Sequence, residues 1–382
     1  MISYSQYAYD NRVQRYAMSL QERGDQVDVI CLGGDGKPAI ERKGQITLYH
    51  IQERDFHERS VLTYLKNLVV FFIRSTVVCT RLHQEYRYRV IHFHNIPDFG
   101  VFCTIIPKMM GAKVILDIHD LVPEFYMQKF GVDAQHPVIR FLKWIEKISA
   151  RYADHVITVT DIWRQRLISR SISAEKVTVV LNAPYTPYFS NTCASHKTQN
   201  GKVTLSYHGN LGETTGVEIL VRSMKKVTQT CPNVQLWITG KGREDEKLKA
   251  LSRELGLEES ITFREPVPNH RICETVGQAD IGIDPKLNGV YSGETLSVKA
   301  MEYLAMGIPL IVSRTKAAEM YFDDTMVQFF RPDDADDLAR QIIELCRSVE
   351  KRKSQVVQAE RFLEIHSWDR YKEKYYSIVD GL

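Results

Sequence analysis

Several signals are missing from this 382-residue sequence, and each absence excludes a class. Its seven cysteines, at 31, 79, 103, 193, 231, 273 and 346, form no CxxC pair and no His/Cys cluster at metal-ligand spacing. That excludes a disulfide scaffold and a zinc module, and reads as a reduced, cytosolic protein. A formal charge of only +3 excludes the strongly basic footprint of a nucleic-acid binder. No secretory leader pattern opens the chain, and the most apolar stretch, Val61 to Thr80, is interrupted by Lys66 and Arg74, which argues against a bilayer span. Two readings of that stretch stand, a helix packed on a sheet and a helix dipping into the membrane interface.

What is present suits a soluble protein with two cores, since 44% of residues are hydrophobic and 25% charged. Residues 1 to 182 carry 24 Lys and Arg against 19 Asp and Glu. On one face that mild surplus would help the N-terminal half rest on an anionic membrane, at its inner, cytoplasmic face.

Short apolar runs alternate with helical patterns along the whole chain, the mark of parallel sheets covered on both faces. In the first half "QVDVICL", "QITLYHI", "RVIHFHN", "AKVILDIHD", "DHVITVT" and "KVTVVLN" read as strands. Val13, Tyr16, Ala17 and Leu20 share one helix face, and Gly24 follows as a stop. Residues 183–201 are rich in Pro, Ser, Thr and Asn, with no apolar period, and read as a linker. A second series follows: strands "KVTLSYHG", "VQLWITG", "SITFRE", "ADIGIDP" and "IPLIVS", with helices near 216–230, 243–255, 298–306 and 335–348. The expected fold is α/β, with two Rossmann-like domains, 1–182 and 202–365, whose parallel sheets face a central cleft. Ligands of such sheets sit beyond the carboxyl ends of the strands.

Candidate chemistry concentrates in strand-to-helix loops. "HGNLGETTG" carries glycines that let backbone N–H groups approach a diphosphate, with Gly209, Asn210 and Leu211 as the cradle. In "ETLSVKAMEYLAMGIPLIVS", Glu294 precedes a helix start and Glu302 lies about a turn inside it. Glu294 can reach a sugar, amides near Leu296 and Ser297 can hold a leaving phosphate, and Glu302 can accept two hydrogen bonds from a ribose diol. Lys299, three residues from Glu302, can pair with it. His119 ends an apolar strand, with Asp120 placed to orient it. His92 and His94 share a strand face; a structural role is expected for His92, and a place in the cleft for His94 and Asn95.

With these motifs in view, the sequence resembles glycosyltransferase family 4, enzymes of the two-domain GT-B fold. "YDNRVQRYAMSLQERGDQVDVIC", "AKVILDIHDLVPE", "EKISARYADHVITVT", "YHGNL", "LKALSRELGLEESITF", "QADIGI" and "KAMEYLAMGIPLIVS" carry the resemblance in order and spacing. It implies a retaining transferase using a nucleotide-diphosphate sugar and a glycan or lipid-linked acceptor. His119 and Glu294 would serve the donor sugar, Glu302 the ribose, Gly209 to Leu211 the phosphates, and Pro266 and Val267 the base. Asn11 and Arg12 would border the acceptor side, and the segment 366–382 would cross back to the first domain. No cofactor or metal is expected, because the only DxD, Asp334 and Asp336, reads as the acidic start of a helix.

Two departures from the family pattern stand out. Family members place Lys or Arg before the last glycine of the phosphate loop, where this chain has Thr214 and Thr215. Either Lys241, Arg243 or Lys299 supplies the charge, or the chain is a weak or silent nucleotide-sugar-binding partner of another transferase. The family also begins with a strand before its first glycine- or polar-rich loop, so that here either the true start lies upstream or residues 2–5 form a stub and the first sheet is weakened.

Overall fold

A computed structural model describes residues 1–34, 36, 38–53, 61–185, 187–189 and 201–382. The chain divides into two compact units, Met1–Leu181 with Lys372–Leu382, and Asn182–Tyr371. Most of the expected linker, residues 186 and 190–200, lies outside the described residues.

The first unit runs β1 (Ile2–Gln6), α1 (Asn11–Arg23), β2 (Val27–Gly33), β3 (Ile40–Lys43), β4 (Ile46–Glu53), α2 (Val61–Tyr86), β5 (Val90–His94), a 3-10 segment (Asp98–Thr104), α3 (Ile105–Met109), β6 (Lys113–Ile118), α4 (Val122–Phe130), α5 (Pro137–Tyr152), β7 (His155–Thr158), α6 (Asp161–Arg170) and β8 (Val177–Val179). Its sheet has the order β3-β4-β2-β1-β5-β6-β7-β8. The neighbours are parallel except β3, which runs antiparallel to β4 at the edge. The strand expected as a stub at residues 2–5 is present there as β1, and the expected weakening of the sheet is corrected: β1 stands in the middle, Ile2 opposite Ile30 on one side and Phe93 on the other. Pairing on both sides stabilises this five-residue strand, whose short, polar sequence gives little local signal.

Local chemistry fixes the helices. Asp10 caps α1 by accepting from the Val13 N–H at 3.0 Å, and Gly24, at φ +98°, ends it in the left-handed conformation. In α2, Leu68, Phe71, Ser75, Cys79 and Leu82 are buried, with Tyr4 edge-on to Phe71 at 5.1 Å. Arg170 of α6 donates to Glu124 of α4 at 2.5 and 2.9 Å and to Glu146 of α5 at 2.9 and 2.5 Å, so one cation ties three helices.

The second unit runs β9 (Val203–His208), α7 (Val217–Thr230), β10 (Val234–Thr239), α8 (Asp245–Glu254), β11 (Ile261–Arg264), α9 (Asn269–Val276), β12 (Ile281–Asp284), α10 (Val298–Ala305), β13 (Leu310–Ser313), α11 (Lys316–Tyr321), β14 (Gln328–Phe330), α12 (Ala335–Arg347) and α13 (Val349–His366). All six strands are parallel, in the order β11-β10-β9-β12-β13-β14. Leu205, Leu236 and Ile281 of the sheet and Leu220, Met224, Leu338 and Ile342 of α7 and α12 belong to one core. Asp334 caps α12, accepting from the Asp337 N–H at 2.8 Å, so the DxD is a helix start. The last helix, α14 (Trp368–Gly381), brings Tyr375 against Tyr16 at 4.3 Å.

The expectation of thiols throughout is corrected at one position. Cys31, Cys79, Cys103, Cys231 and Cys346 are free, but Cys273 is disulfide-bonded.

At the centre of the first unit, Arg12 donates to both oxygens of Asp117, at 2.6 and 2.9 Å, with both side chains buried. Burial opposes ionisation of Asp117, yet Arg12 and the His94 ring hold the carboxyl well below its ordinary range. Arg12→Leu would strand a buried carboxylate at a cost of about 3–5 kcal/mol. Urea unfolding at neutral pH should show that loss, and the double variant Arg12→Leu, Asp117→Asn should recover part of it.

Candidate functional site

In the second unit the functional loops are joined backbone to backbone. The Gly209 N–H donates to the Thr239 carbonyl at 2.9 Å, Leu211 N–H to Lys241 O at 3.1 Å, and Glu244 N–H back to Leu211 O at 3.0 Å. These contacts demand glycine. A Cβ on Gly240 would lie 1.9 Å from the Gly209 carbonyl oxygen, and one on Gly242 2.2 Å from that of Leu211. At Gly216, with φ +71°, a Cβ would fall 1.8 Å from the Pro285 carbonyl oxygen. Leu287 N–H closes the same junction onto Thr214 O at 3.2 Å. The loops after β9, β10 and β12 are therefore one surface.

Lys299, on the first turn of α10, lies over that surface. A Cβ on Gly209 would stand 3.3 Å from its Cε, and its ammonium is 5.2 Å from the Tyr207 ring centre. It pairs with Asp284, at the end of β12, at 3.3 Å. Burial opposes its charge, but the Tyr207 hydroxyl and the Asp284 carboxylate outweigh it and raise the Lys299 pKa. The expected Lys299 to Glu302 pair is thus corrected. Lys299 reaches β12, and Glu302 accepts from His208 Nε2 at 2.7 Å. Lys241 is exposed and 3.6 Å from Glu265, and Arg243 is exposed as well; neither lies against Gly209 as Lys299 does.

Glu302 is buried on α10 beside His208, the last residue of β9. Tyr303 fixes their spacing: its hydroxyl donates to Ser206 O at 2.7 Å, and its ring occupies the space that a side chain on Gly282 would take. Glu294 ends a 3-10 turn, Ser292–Glu294, is buried, and has one oxygen 3.4 Å from the Lys316 ammonium. Lys286 donates to the carbonyl of Thr295 at 3.0 Å and to its hydroxyl, holding the approach to α10. Leu296 and Ser297 precede that helix, and no side chain caps it, so its first amides stand as an anion-binding end. Asn210 offers its carbonyl to the Tyr207 hydroxyl at 2.6 Å. Pro266 is exposed and Val267 half-buried, beyond β11.

In the first unit, His119 follows β6 and is half-buried. Asn95, rather than Asp120, organises this turn. Its Oδ1 accepts from the N–H groups of His119 and Asp120 at 3.0 and 3.3 Å, and its Nδ2 donates to Asp98 Oδ1 and Asp120 O at 2.8 and 2.7 Å. The His119 Nδ1 is buried without a hydrogen bond, which corrects the expected orientation by Asp120. His94 is corrected too: it is fully buried, bonded to Asp117 at 3.2 Å and packed 4.0 Å from His92. Arg12, expected at an acceptor border, is committed to Asp117 and to the Val180 carbonyl at 3.2 Å. Asn11 opens α1, half-buried. Among the described residues His92, His94 and Asp117 bring possible metal-ligand atoms within 4.8 Å of one another. The guanidinium already on Asp117 opposes a cation there.

Sequence reasoning missed His208 as the partner of Glu302 and Lys286 as the brace before α10. His208 could have been found from its place directly before Gly209; Lys286 carries no local signal.

Two α/β units, each built on a largely parallel sheet with glycine-bearing strand-to-helix loops in the second, have the architecture of the GT-B fold. The family comparisons agree. "Glycosyl transferase 4-like domain" matches residues 9–183 and "Glycosyl transferases group 1" residues 202–348, and the chain belongs to the group 1 glycosyltransferases. A D-inositol 3-phosphate glycosyltransferase of Acidothermus cellulolyticus is 29% identical over 59% of this chain and 52% of its own length. A chitobiosyldiphosphodolichol beta-mannosyltransferase of Candida glabrata is 22% identical over 49% of this chain and 42% of its own. The chain thus spans about half, or less, of the length of these relatives. Among solved structures, the sucrose-phosphate synthase of Thermosynechococcus elongatus superposes with a TM-score of 0.79 at 17% identity, covering 100% of this chain and 98% of that one. Anabaena HepE, in complex with UDP and glucose, gives 0.74 at 14% identity, covering 100% and 99%.

Two outcomes test this geometry. Gly216→Ala should cost more stability than Gly256→Ala, because both glycines have positive φ but only Gly216 faces a carbonyl, Gly256 having nothing within 4 Å. The first should lose about 2–3 kcal/mol and the second about 1 kcal/mol in thermal or urea unfolding. Burial pushes the Asp98 carboxyl up to about 7, against the Asn95 hydrogen bond that lowers it. Its folded pKa exceeds the unfolded one, so this group makes the protein less stable as pH rises from about 4 to 7, with no further change above. Asp98→Asn removes that dependence, and its stability relative to wild type should climb across the same window in urea titrations.

Proposed function

We propose that this chain is a retaining, metal-independent glycosyltransferase that takes a sugar from a nucleotide-diphosphate donor to a glycan or lipid-linked acceptor. The observation that carries the reading is the shared surface of Gly209, Lys299 and Glu302 in the second unit. Amides of the Gly209 to Leu211 loop and the uncapped start of α10 suit a diphosphate, with Lys299 supplying the charge that Thr214 and Thr215 lack. Glu302, steadied by His208, suits a ribose diol. Retention and the roles of Glu294 and His119 at the donor sugar follow from the family resemblance.

In this reaction the acceptor oxygen bonds to the anomeric carbon while the bond from that carbon to the diphosphate oxygen breaks. The electron pair leaves with the diphosphate, which takes up the acceptor proton. The protein's part is to hold negative charge where it develops, which is why the amides and Lys299 matter more than a general base.

A second reading rests on a specific observation. Lys299 is already paired with Asp284, and the phosphate loop has no cation of its own, which favours a partner that binds a nucleotide sugar without turnover. A panel of UDP- and GDP-sugars, assayed for released nucleotide with glycan acceptors, separates the two. We expect release. Glu302→Ala should abolish nucleotide binding in calorimetry, whereas Glu294→Gln should keep binding and lose about 10²–10³-fold in turnover. Binding throughout the panel with no release would favour the silent partner, and no binding of any nucleotide would defeat both readings.

A further inference from the structure

The helices on one side of the first sheet turn an apolar and basic face outward. Phe72 of α2 packs on Phe99 and Tyr152 of α5 packs on Phe102, ring centres 6.1 and 5.0 Å apart, so both helices lie over the same 3-10 segment. On α2 the exposed residues Val69, Ile73 and Val77 follow one another at four-residue steps, and α3 adds Ile105 and Met109. On α5, Val138, Phe141 and Trp144 are each more than half exposed, and the last two stack on one another at 5.9 Å. Unpartnered apolar groups on this scale mark an interaction surface.

Charge says what kind. Lys66, Arg74 and Arg81 flank the α2 stripe, and Arg140, Lys143 and Lys147 flank that of α5. Among the described residues of α2 to α5 the acidic side chains are Glu85, Glu124 and Glu146, and the last two are buried on Arg170. Where α5 ends, a cavity of about 490 Å³ is lined by Lys147, Arg151 and Lys176. A protein partner's interface core is depleted in lysine. Tryptophan and aliphatic groups ringed by Lys and Arg suit the boundary of an anionic bilayer.

We propose that this face, built by α2, α3 and α5, docks on an anionic lipid surface. The chain lies on the membrane without crossing it. Although α2 is long and apolar enough to span, Leu68, Phe71, Cys79 and Leu82 are committed to the core, and a transmembrane α2 would strip that core. The proposal does not depend on the transfer reaction.

The full chain has a built-in probe. Of its four tryptophans, Trp163, Trp237 and Trp368 are buried and Trp144 is exposed. Vesicles of phosphatidylcholine mixed with phosphatidylglycerol should sediment with the protein and shift its tryptophan emission to the blue, and vesicles of phosphatidylcholine alone should do so at least about tenfold less well. High salt should reverse most of the binding. Phe141→Ser with Trp144→Ser should weaken sedimentation about tenfold or more, with circular dichroism and melting temperature unchanged. Val69→Ser with Ile73→Ser gives a second test on α2. Three results would overturn the proposal: no sedimentation with anionic vesicles, sedimentation with no change in Trp144 emission, or self-association that the Phe141/Trp144 variant abolishes while vesicles are ignored.

Discussion

The second unit depends on backbones coming closer than any side chain would allow. Gly216 against Pro285, Gly240 against Gly209 and Gly242 against Leu211 weld three strand-to-helix loops into one rim. The fixed loops then set the height of Lys299 and the distance from Glu302 to His208. Because those contacts are backbone contacts, the surface is formed before any ligand arrives, and binding need not meet the entropy of ordering it. The cost is carried by the unfolded chain, where glycines are freest.

The two units spend their charges differently. In the first, Arg12 and Asp117 are sealed together beneath the rings of Tyr16, His92 and His94, an arrangement that specifies packing and leaves nothing for a ligand. In the second, charged groups on α10 are paired with residues at strand ends: Lys299 with Asp284, and Glu302 with His208. Such pairs orient a side chain at small cost, and under the proposed function a diphosphate or diol would share the partner. Thr214 serves this frame through its carbonyl, which closes the junction with Leu287.

Much of this was legible in the sequence. Periodicity placed β2, β4 to β13 and the helices α1, α7, α8, α10 and α12 to within a few residues, where apolar runs are flanked by glycine or caps, but not the edge strands β3 and β14 or the shorter helices. The paired glutamates and the glycine loop were legible because their types and spacing suit one chemistry. Tertiary choices were not. Nothing local says that Lys299 turns to Asp284 instead of Glu302, that Arg12 dives inward, or that Asn95 displaces Asp120 as the organiser of the His119 turn. Each was settled by a residue far away in sequence. The strand at Ile2–Gln6 was legible only as a stub, because it is short and half polar, and only its neighbours show that it is central.

Residues 372–382 belong to the first unit, where Tyr375 closes over Tyr16 and bonds to the ring of His92 at 3.0 Å. During synthesis the first unit therefore emerges long before the piece that covers Tyr16 exists. Until translation reaches that piece, the nascent domain must wait with an open apolar seam, so its maturation is tied to completion of the polypeptide rather than to its own emergence from the ribosome.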